Sequence, residues 1–378
     1  MSHDKLRIAL IFPRFSGPFG PERHLLRWGQ ELAKLGQDVT IYTHRFDQSC
    51  RHLLTRQLRL VETGFLPVRN HVLSSFLDLV LMPWLALQVK GNYDVVQGMT
   101  WQAALGVRLI GILGRAGKPN AAHWCTEPPR FAYDLLPETL CPYNAPRRLL
   151  AKPAVTLIRA LDKRAIRSVE TTMCSSNWMR AEVERIYQRE FQVIYPGVET
   201  VRFQRGRREE TRQQLGIPRD KVVFLSASKL HRRKRLDRAM EIFAEVAPSN
   251  SVFYILGDGP HREMLHSIAQ EIAPDRVVFA GEVSDDDVAR YMSAANYFIF
   301  VAKNEPFGMA PVEAALSGCW IISEGTAGFK EVIPECVVAP DSPLPAGDPP
   351  RLDDKELGWD VVARKTLAMY ERMLGDRN

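Results

Sequence analysis

A chain of 378 residues exceeds what one ordinary hydrophobic core organises and suits two α/β domains of roughly 150–200 residues each, with a cleft between them. Hydrophobic residues at 46% and charged residues at 25% exclude a disordered or fibrous chain, and the formal charge of +6 favours anionic partners: nucleotides, phosphates or an acidic membrane face. The cysteines, Cys50, Cys125, Cys141, Cys174, Cys319 and Cys336, show neither CxxC pairs nor a repeated spacing, which speaks against a zinc site or disulfide framework and for a reducing cytosol.

In chain order, KLRIALIF (Lys5 to Phe12) is an apolar run of strand length ending at Pro13 and reads as a first buried strand, not a signal peptide. SGPFGPER follows, where Gly17 and Gly20 let backbone approach a ligand; it lacks the GxGxxG spacing of a dinucleotide fingerprint, which counts against an NAD enzyme. Glu22 to Leu35 has helical spacing and DVTIYT (Asp38 to Thr43) is the next strand, giving βαβ order. Val72 to Val89 is almost long enough to span a bilayer, but Asp78 and the central Pro83 favour a buried or half-buried helix over a surface that touches membrane. Asp94 to Gln97 and Ala121 to Trp124 are strands with a helix between them, so a parallel doubly wound sheet is expected.

Ala145 to Ser168 reads as a long helix in which Arg147, Arg148, Lys152, Arg159, Lys163, Arg164 and Arg167 face one acid, Asp162. It is either a solvated face or a surface that attracts lipid head groups or a phosphorylated acceptor. Strands at Thr171 to Ser175 and Gln192 to Tyr195 lead to Pro196 and Gly197, where the chain crosses to a second domain. A second βα series then places strands at Val222 to Ser226, Ser251 to Leu256, Val277 to Ala280 and Tyr297 to Ala302, with helices at Leu236 to Val246 and His261 to Ile272. The proline-rich loop Pro340 to Pro350 leads to a last helix, Trp359 to Leu374.

Three strand-to-helix loops of the second series carry chemistry. In EPFGMAPVEAALSG (Glu305 to Gly318), Pro311 suits the first helical position, Glu313 the first turn and Gly318 the residue past the end. The helix N-terminus offers amide donors at the carboxyl edge of the sheet, and the carboxylates of Glu305 and Glu313 could accept hydrogen bonds from sugar hydroxyls; taken alone, two such acids are better explained by capping and solvation. In KLHRRKR (Lys229 to Arg235), cations neutralise a diphosphate without a metal, the rivals being a solvated loop or a nucleic-acid patch, the latter weakened by the lack of interleaved aromatics. ILGDGP (Ile255 to Pro260) supplies a tight turn, for which a plain strand-to-helix connection is sufficient explanation.

Taken together, GPERHLLRWGQELAKLGQDVTIYT, VIYPGVETVRF, SKLHRRKRL, YILGDGP, VVFAGEV, EPFGMAPVEAALSG and GFKEVI resemble, in order and over nearly the whole chain, the retaining glycosyltransferases of family 4 (group 1), mannosyltransferase-like members included. The resemblance implies an α/β GT-B fold of two Rossmann-like domains with parallel sheets facing across a cleft: an acceptor-side domain over residues 1–190, a nucleotide-sugar donor domain over 191–357, and a terminal helix over 358–378 packing back toward the first domain. It implies that Lys229 and Lys234 bind the donor diphosphate, that Glu305 lies near the transferred sugar, and that Glu313 holds the nucleotide ribose. Phe307, Gly308 and Met309 would present backbone amides, while Gly20 and Gly257 would belong to donor-binding loops. HWCTEPPRFAYD (His123 to Asp134) is similar to a segment written CHEPPR in such members, with Thr126 at the histidine position. His123, three residues earlier, becomes the catalytic candidate, and Thr126, Glu127 and Arg130 the acceptor-side candidates. Departures are Trp320 in place of a proline after the helix, the missing Pro-Ser before Glu305, and a short stretch from Pro334 to Leu357.

The implied reaction is metal-independent transfer of a hexose, GDP-mannose being the favoured donor, with retention of configuration, onto a saccharide or lipid-linked saccharide in surface polysaccharide or glycolipid synthesis. No cofactor beyond the nucleoside diphosphate sugar, no metal and no nucleic acid is expected. The expected location is the cytoplasm, with peripheral contact at the inner membrane face. The alternative is an inactive sugar-nucleotide-binding homologue that partners an active transferase.

Overall fold

The computed structural model describes residues 5–64, 71–141, 145–325 and 327–375. The chain divides into two compact units, Met1–Gly197 with Trp359–Asn378, and Val198–Gly358. The first division falls after Gly197 instead of residue 190, because Gln192–Val193 pairs with the strand Thr171–Cys174 and completes the first sheet.

The first unit runs β1 (Arg7–Ile11), β2 (Arg14–Phe15), α1 (Gly20–Lys34), β3 (Asp38–Thr43), β4 (Arg45–Phe46), β5 (Arg59–Glu62), α2 (His71–Gln88), β6 (Val95–Gly98), α3 (Trp101–Leu113), β7 (Asn120–Cys125), α4 (Leu136–Leu140), α5 (Ala145–Arg167), β8 (Thr171–Cys174), α6 (Asn177–Tyr187) and β9 (Gln192–Val193). Its parallel sheet has the order β5-β3-β1-β6-β7-β8-β9, and β2 and β4 make a small separate pair. The central strands read as unbroken apolar runs because both faces are covered: Ile8, Leu10, Ile41, Val95 and Trp124 are buried. Right-handed crossovers place α2, α3 and α5 side by side over one face, and α3 packs against both neighbours. In α2, Met82, Leu85 and Ala86 join the core, as does Val89 just past its end, and Asp78 is held at 2.8 Å by Arg14. Val80 and Trp84 stay 54% and 51% exposed. Among the described residues no helix is long and apolar enough to cross a membrane.

The second unit runs α7 (Arg208–Gln214), β10 (Val222–Ala227), α8 (Leu236–Val246), β11 (Ser251–Leu256), α9 (Arg262–Ile272), β12 (Val277–Gly281), α10 (Asp285–Ala294), β13 (Tyr297–Ile299), α11 (Met309–Leu316), β14 (Trp320–Ile322) and β15 (Val337–Val338). All six strands are parallel, in the order β12-β11-β10-β13-β14-β15. Phe224 stacks on Tyr297 at 4.8 Å and meets Phe243 edge-on at 5.1 Å, and this aromatic group fills the core under α8.

Two expectations from the sequence are corrected here. The strand expected at 297–302 covers only Tyr297–Ile299, with one further bond from Phe300 N to Ile322 O at 2.9 Å before the chain turns at 303–304, where Asn304 has φ 51. The helix expected from Pro311 starts at Met309, so Pro311 is its third residue and Glu313 lies beyond the first turn. Gly308, at φ 89, makes that earlier start possible: its left-handed backbone swings the chain into the helix, and a Cβ there would lie 3.0 Å from the Phe329 ring.

The proline-rich loop before the last helix is tied to the sheet through its carbonyls, since proline has no amide to donate. Tyr297 donates its hydroxyl to Pro345 at 2.7 Å, the Trp320 indole donates to Gly347 at 3.0 Å, and Arg205 donates to Pro349 at 2.6 Å. Trp320 thus has a structural use at the place where the resemblance led to expecting proline. The last helix, α12 (Trp359–Gly375), belongs to the first unit, where it packs on α1 and Tyr370 donates to the Gln97 side chain of β6. No room exists for a side chain at Gly197, whose Cβ would lie 2.8 Å from Trp359.

Candidate functional site

In a doubly wound sheet, ligands bind beyond the carboxyl ends of the strands, at the point where successive strands are added in opposite directions. In the second unit that point lies between β10, which continues to β11, and β13, which continues to β14. The loops after β10, β11, β13 and β14 all leave the same edge of the sheet, because the strands are parallel. Three of them are the chemistry-bearing loops of the sequence.

Lys234 and Glu305 meet across this point, with Lys234 Nζ donating to Glu305 Oε2 at 2.8 Å. The two side chains are 30% and 21% exposed. A pair this open contributes only about 0–1 kcal/mol to stability, so both groups remain available to exchange their bond for a phosphate oxygen or a sugar hydroxyl. Lys234 Nζ also lies 5.4 Å from the centroid of Phe300, which gives the cation an aromatic floor.

Lys229 is exposed and sits between Ser228 and the buried Leu230. Both neighbours are fastened to the glycine turn: Ser228 donates to Leu256 O, Leu230 donates to Asp258 O, and His261 donates to Leu230 O. Gly257 and Gly259 are required by this close approach, since a Cβ on the first would lie 2.1 Å from Ser228 O and one on the second 2.4 Å from Leu230 O. Gly257 is therefore placed as a support for the cationic loop. Phe307 is buried, and its carbonyl accepts from Phe329 N at 2.7 Å; Gly308 and Met309 are the cap and first residue of α11. Pro311 contributes no amide to the first turn, and Glu313 is half-buried on the same helix.

The first unit places its candidates differently. Gly20 is the first residue of α1, after the exposed cap residue Phe19, and Ser16 Oγ donates to the buried Glu22 at 3.0 Å. His123 lies within β7 between Gly98 of β6 and Thr172 of β8, has no exposed surface, and neither ring nitrogen finds a hydrogen-bond partner among the described residues. Burial lowers its pKa to about 3, with Arg189 adding to the effect. A neutral ring enclosed by the sheet does not reach a substrate, and His123 is withdrawn as a catalytic candidate. Thr126 Oγ1 donates to Met99 O at 3.3 Å. Arg130 is buried and gripped by Asp134 at 2.6 Å, with Glu127 at 3.9 Å. Tyr133 of this loop donates to Asp162 of α5, as does Tyr187, which locks the loop onto the basic helix. The side chains of Arg147 and Arg148 lie outside the described residues.

The sequence reading did not single out Glu324, which accepts from Arg235 of the cationic loop at 2.6 Å, or Lys330, which donates to the carbonyls of Ser323 and Gly325 on either side of Glu324. Their signal was the presence of opposite charges in two strand-end loops of one sheet, legible only once the strand order is known.

Residues 207–338 match the family model described as Glycosyl transferases group 1, and residues 19–202 match that of Glycosyltransferase Family 4. The chain is 26% identical over 346 residues to the alpha-monoglucosyldiacylglycerol synthase of Streptococcus pneumoniae, covering 87% of this chain and 73% of the relative. It is 25% identical over 332 residues to the D-inositol 3-phosphate glycosyltransferase of a Nocardioides species, covering 76% and 69%. Among solved structures, the sucrose-phosphate synthase of Thermosynechococcus elongatus superposes with a TM-score of 0.75 at 18% identity, over 98% of this chain and 100% of that one. Anabaena HepE, solved with UDP and glucose, gives 0.65 at 15% identity, over 98% and 92%. Likeness at that identity shows the fold, which is GT-B. With both halves matched in order and the fold shared, the chain belongs to the glycosyltransferases of family 4, group 1.

Proposed function

We propose that this chain transfers a hexose from a nucleoside diphosphate sugar, GDP-mannose first among the candidates, to a saccharide or lipid-linked saccharide, with retention of configuration and without a metal ion. The observation that carries this reading is the Lys234–Glu305 pair, 2.8 Å apart at the strand-direction switch of the second unit. Departure of the diphosphate builds negative charge. Lys229, Lys234 and the first amides of α11 supply fixed positive charge where it builds, the role a divalent cation has in other sites. Glu305 accepts hydroxyl hydrogen bonds of the sugar, Glu313 those of the ribose, and a phosphate oxygen of the leaving group takes the acceptor's proton.

The acceptor reading rests on the first unit. Val80 and Trp84 of α2 and Leu157 of α5 expose 54%, 51% and 60% of their surface, on the two helices that flank α3. α5 also carries Lys152, Arg159, Lys163, Arg164 and Arg167, while its acid, Asp162, is buried. Exposed apolar side chains on a unit that also carries a basic helix suit an anionic bilayer surface, and the Streptococcus relative is named for a glycolipid product. On this reading the protein works at the inner membrane face, in glycolipid or surface polysaccharide synthesis.

The test is a mass-spectrometric screen of GDP-mannose, UDP-glucose, UDP-N-acetylglucosamine and UDP-galactose against lipid-linked sugar acceptors. Product from one donor with wild type, reduced about 100-fold or more in Glu305→Ala, supports the reading. A second reading, a sugar-nucleotide-binding partner without turnover, is favoured by one observation: Thr126 and the enclosed His123 leave the first unit without an accessible histidine in this segment. Nucleotide binding with no product from any donor selects it.

A further inference from the structure

Lys234 is followed by Arg235, whose backbone lies in the left-handed region at φ 49, ψ 46. An L residue with a long side chain is disfavoured there, and glycine would adopt the same turn freely. The guanidinium explains what holds the turn: Arg235 Nη1 donates to Glu324 Oε1 at 2.6 Å. The other carboxylate oxygen, Oε2, accepts from Arg238 Nε at 3.4 Å, one turn along α8. Glu324 therefore clasps both sides of the junction between the cationic loop and its helix.

Glu324 is itself anchored toward Glu305. It follows β14, in a loop whose Ser323 and Gly325 carbonyls accept from Lys330 Nζ at 3.4 and 2.8 Å. Beyond that loop Ala327 bridges Glu305, Gly328 N donates to Glu305 O at 3.3 Å, and Phe329 N donates to Phe307 O. These links run from Lys234 and Arg235 to Glu324, from the carbonyls beside Glu324 to Lys330, from Ala327 and Gly328 to Glu305, and from Glu305 back to Lys234 through the 2.8 Å ion pair.

We propose that Glu324 is a positioning residue of the donor site, fixing the Arg235 turn so that Lys234 is held ready for the diphosphate. This rests on the reading of that site as diphosphate-binding. Position and charge then make opposite demands. As a bare negative charge near an anion's site, Glu324 would weaken diphosphate binding, and its neutralisation would tighten it. As a brace, its loss frees the turn, and the nucleotide must order the turn on binding.

The experiment titrates UDP and GDP into the full chain by calorimetry, for wild type, Glu324→Gln, Arg235→Gly and the double variant, with thermal melts of each. The proposal predicts that Glu324→Gln and Arg235→Gly each weaken the better-bound nucleotide by about 5- to 20-fold, the loss of one charged hydrogen bond. The double variant should be no weaker than the worse single variant, since both cut one link. Arg235→Gly relieves the backbone, so its melting temperature should hold or rise while affinity falls, a split that a merely structural role would not produce. Glu324→Gln that binds as tightly as wild type, or tighter, overturns the proposal while leaving the site reading intact. A wild type that binds neither nucleotide overturns the site reading and the proposal with it.

Discussion

Single residues divide by what burial does to them. Lys229, Lys234 and Glu305 were named through the order of motifs, since solvent is an equally good destination for a charged side chain in a single strand-end loop; the structure brings Lys234 and Glu305 into contact. His123 was not legible: AAHWC alternates like any half-buried strand, and only the neighbours β6 and β8 enclose it. Its consequence is a pH dependence. His24 and His123 have folded pKa values of about 3 against 6.5, so the unfolded chain binds more protons between those limits and stability falls as the pH drops from 6.5 toward 3. Asp162 acts in the opposite sense, since burial raises its pKa to about 6 from 3.8 and its cost grows as the pH rises through that interval. His123→Leu should shallow the acid limb of a stability–pH profile by up to about 1.4 kcal/mol per pH unit. The same variant should keep turnover at neutral pH within about threefold, because no catalytic contact is lost. A profile parallel to wild type would contradict the burial argument.

At the scale of elements, the strands with β-branched, unbroken apolar runs were readable within a residue or two: β3 and β11 have the expected bounds. The short strands β5, β14 and β15 were not, because they span only two to four residues and owe their pairing to the sheet they join. The start of α11 was misplaced because proline favours a first helical turn without specifying which position, and Gly308 made the choice through its backbone. ILGDGP read as an ordinary turn, yet its glycines are what let the Lys229 loop lie against it. Gly257→Ala should therefore cost at least about 1–2 kcal/mol in stability and weaken nucleotide binding by about tenfold, read from denaturant melts and calorimetry. Gly216 provides the control: it also has positive φ, at 67, but nothing lies within 4 Å of a Cβ there. Gly216→Ala should carry the backbone cost and leave nucleotide affinity unchanged, and equal weakening in both variants would show that the glycine turn has no part in the site.

For the whole molecule, length and the doubled βα order made two domains legible, and the motif order made the family legible. The place of the division was less so, because a two-residue strand past the expected boundary still belongs to the first sheet. The exposed apolar residues were also hidden, since Val80 and Trp84 share a sequence run with buried Met82 and Leu85. If they meet lipid, the full chain should co-sediment with vesicles containing anionic lipid, less so at high salt, and Trp84→Ser with Leu157→Ser should lower the partition by about 3- to 10-fold. Equal binding of the variant would remove the membrane reading without touching the donor site. The donor site carries the central claim, and the most direct measurement is the rate of nucleoside diphosphate release from the donor found in the screen, compared among wild type, Glu305→Ala and His123→Leu. The account predicts a fall of about 100-fold or more for Glu305→Ala and a change within about threefold for His123→Leu; an unaffected Glu305→Ala, or a His123→Leu that is inactive while still folded, would contradict it.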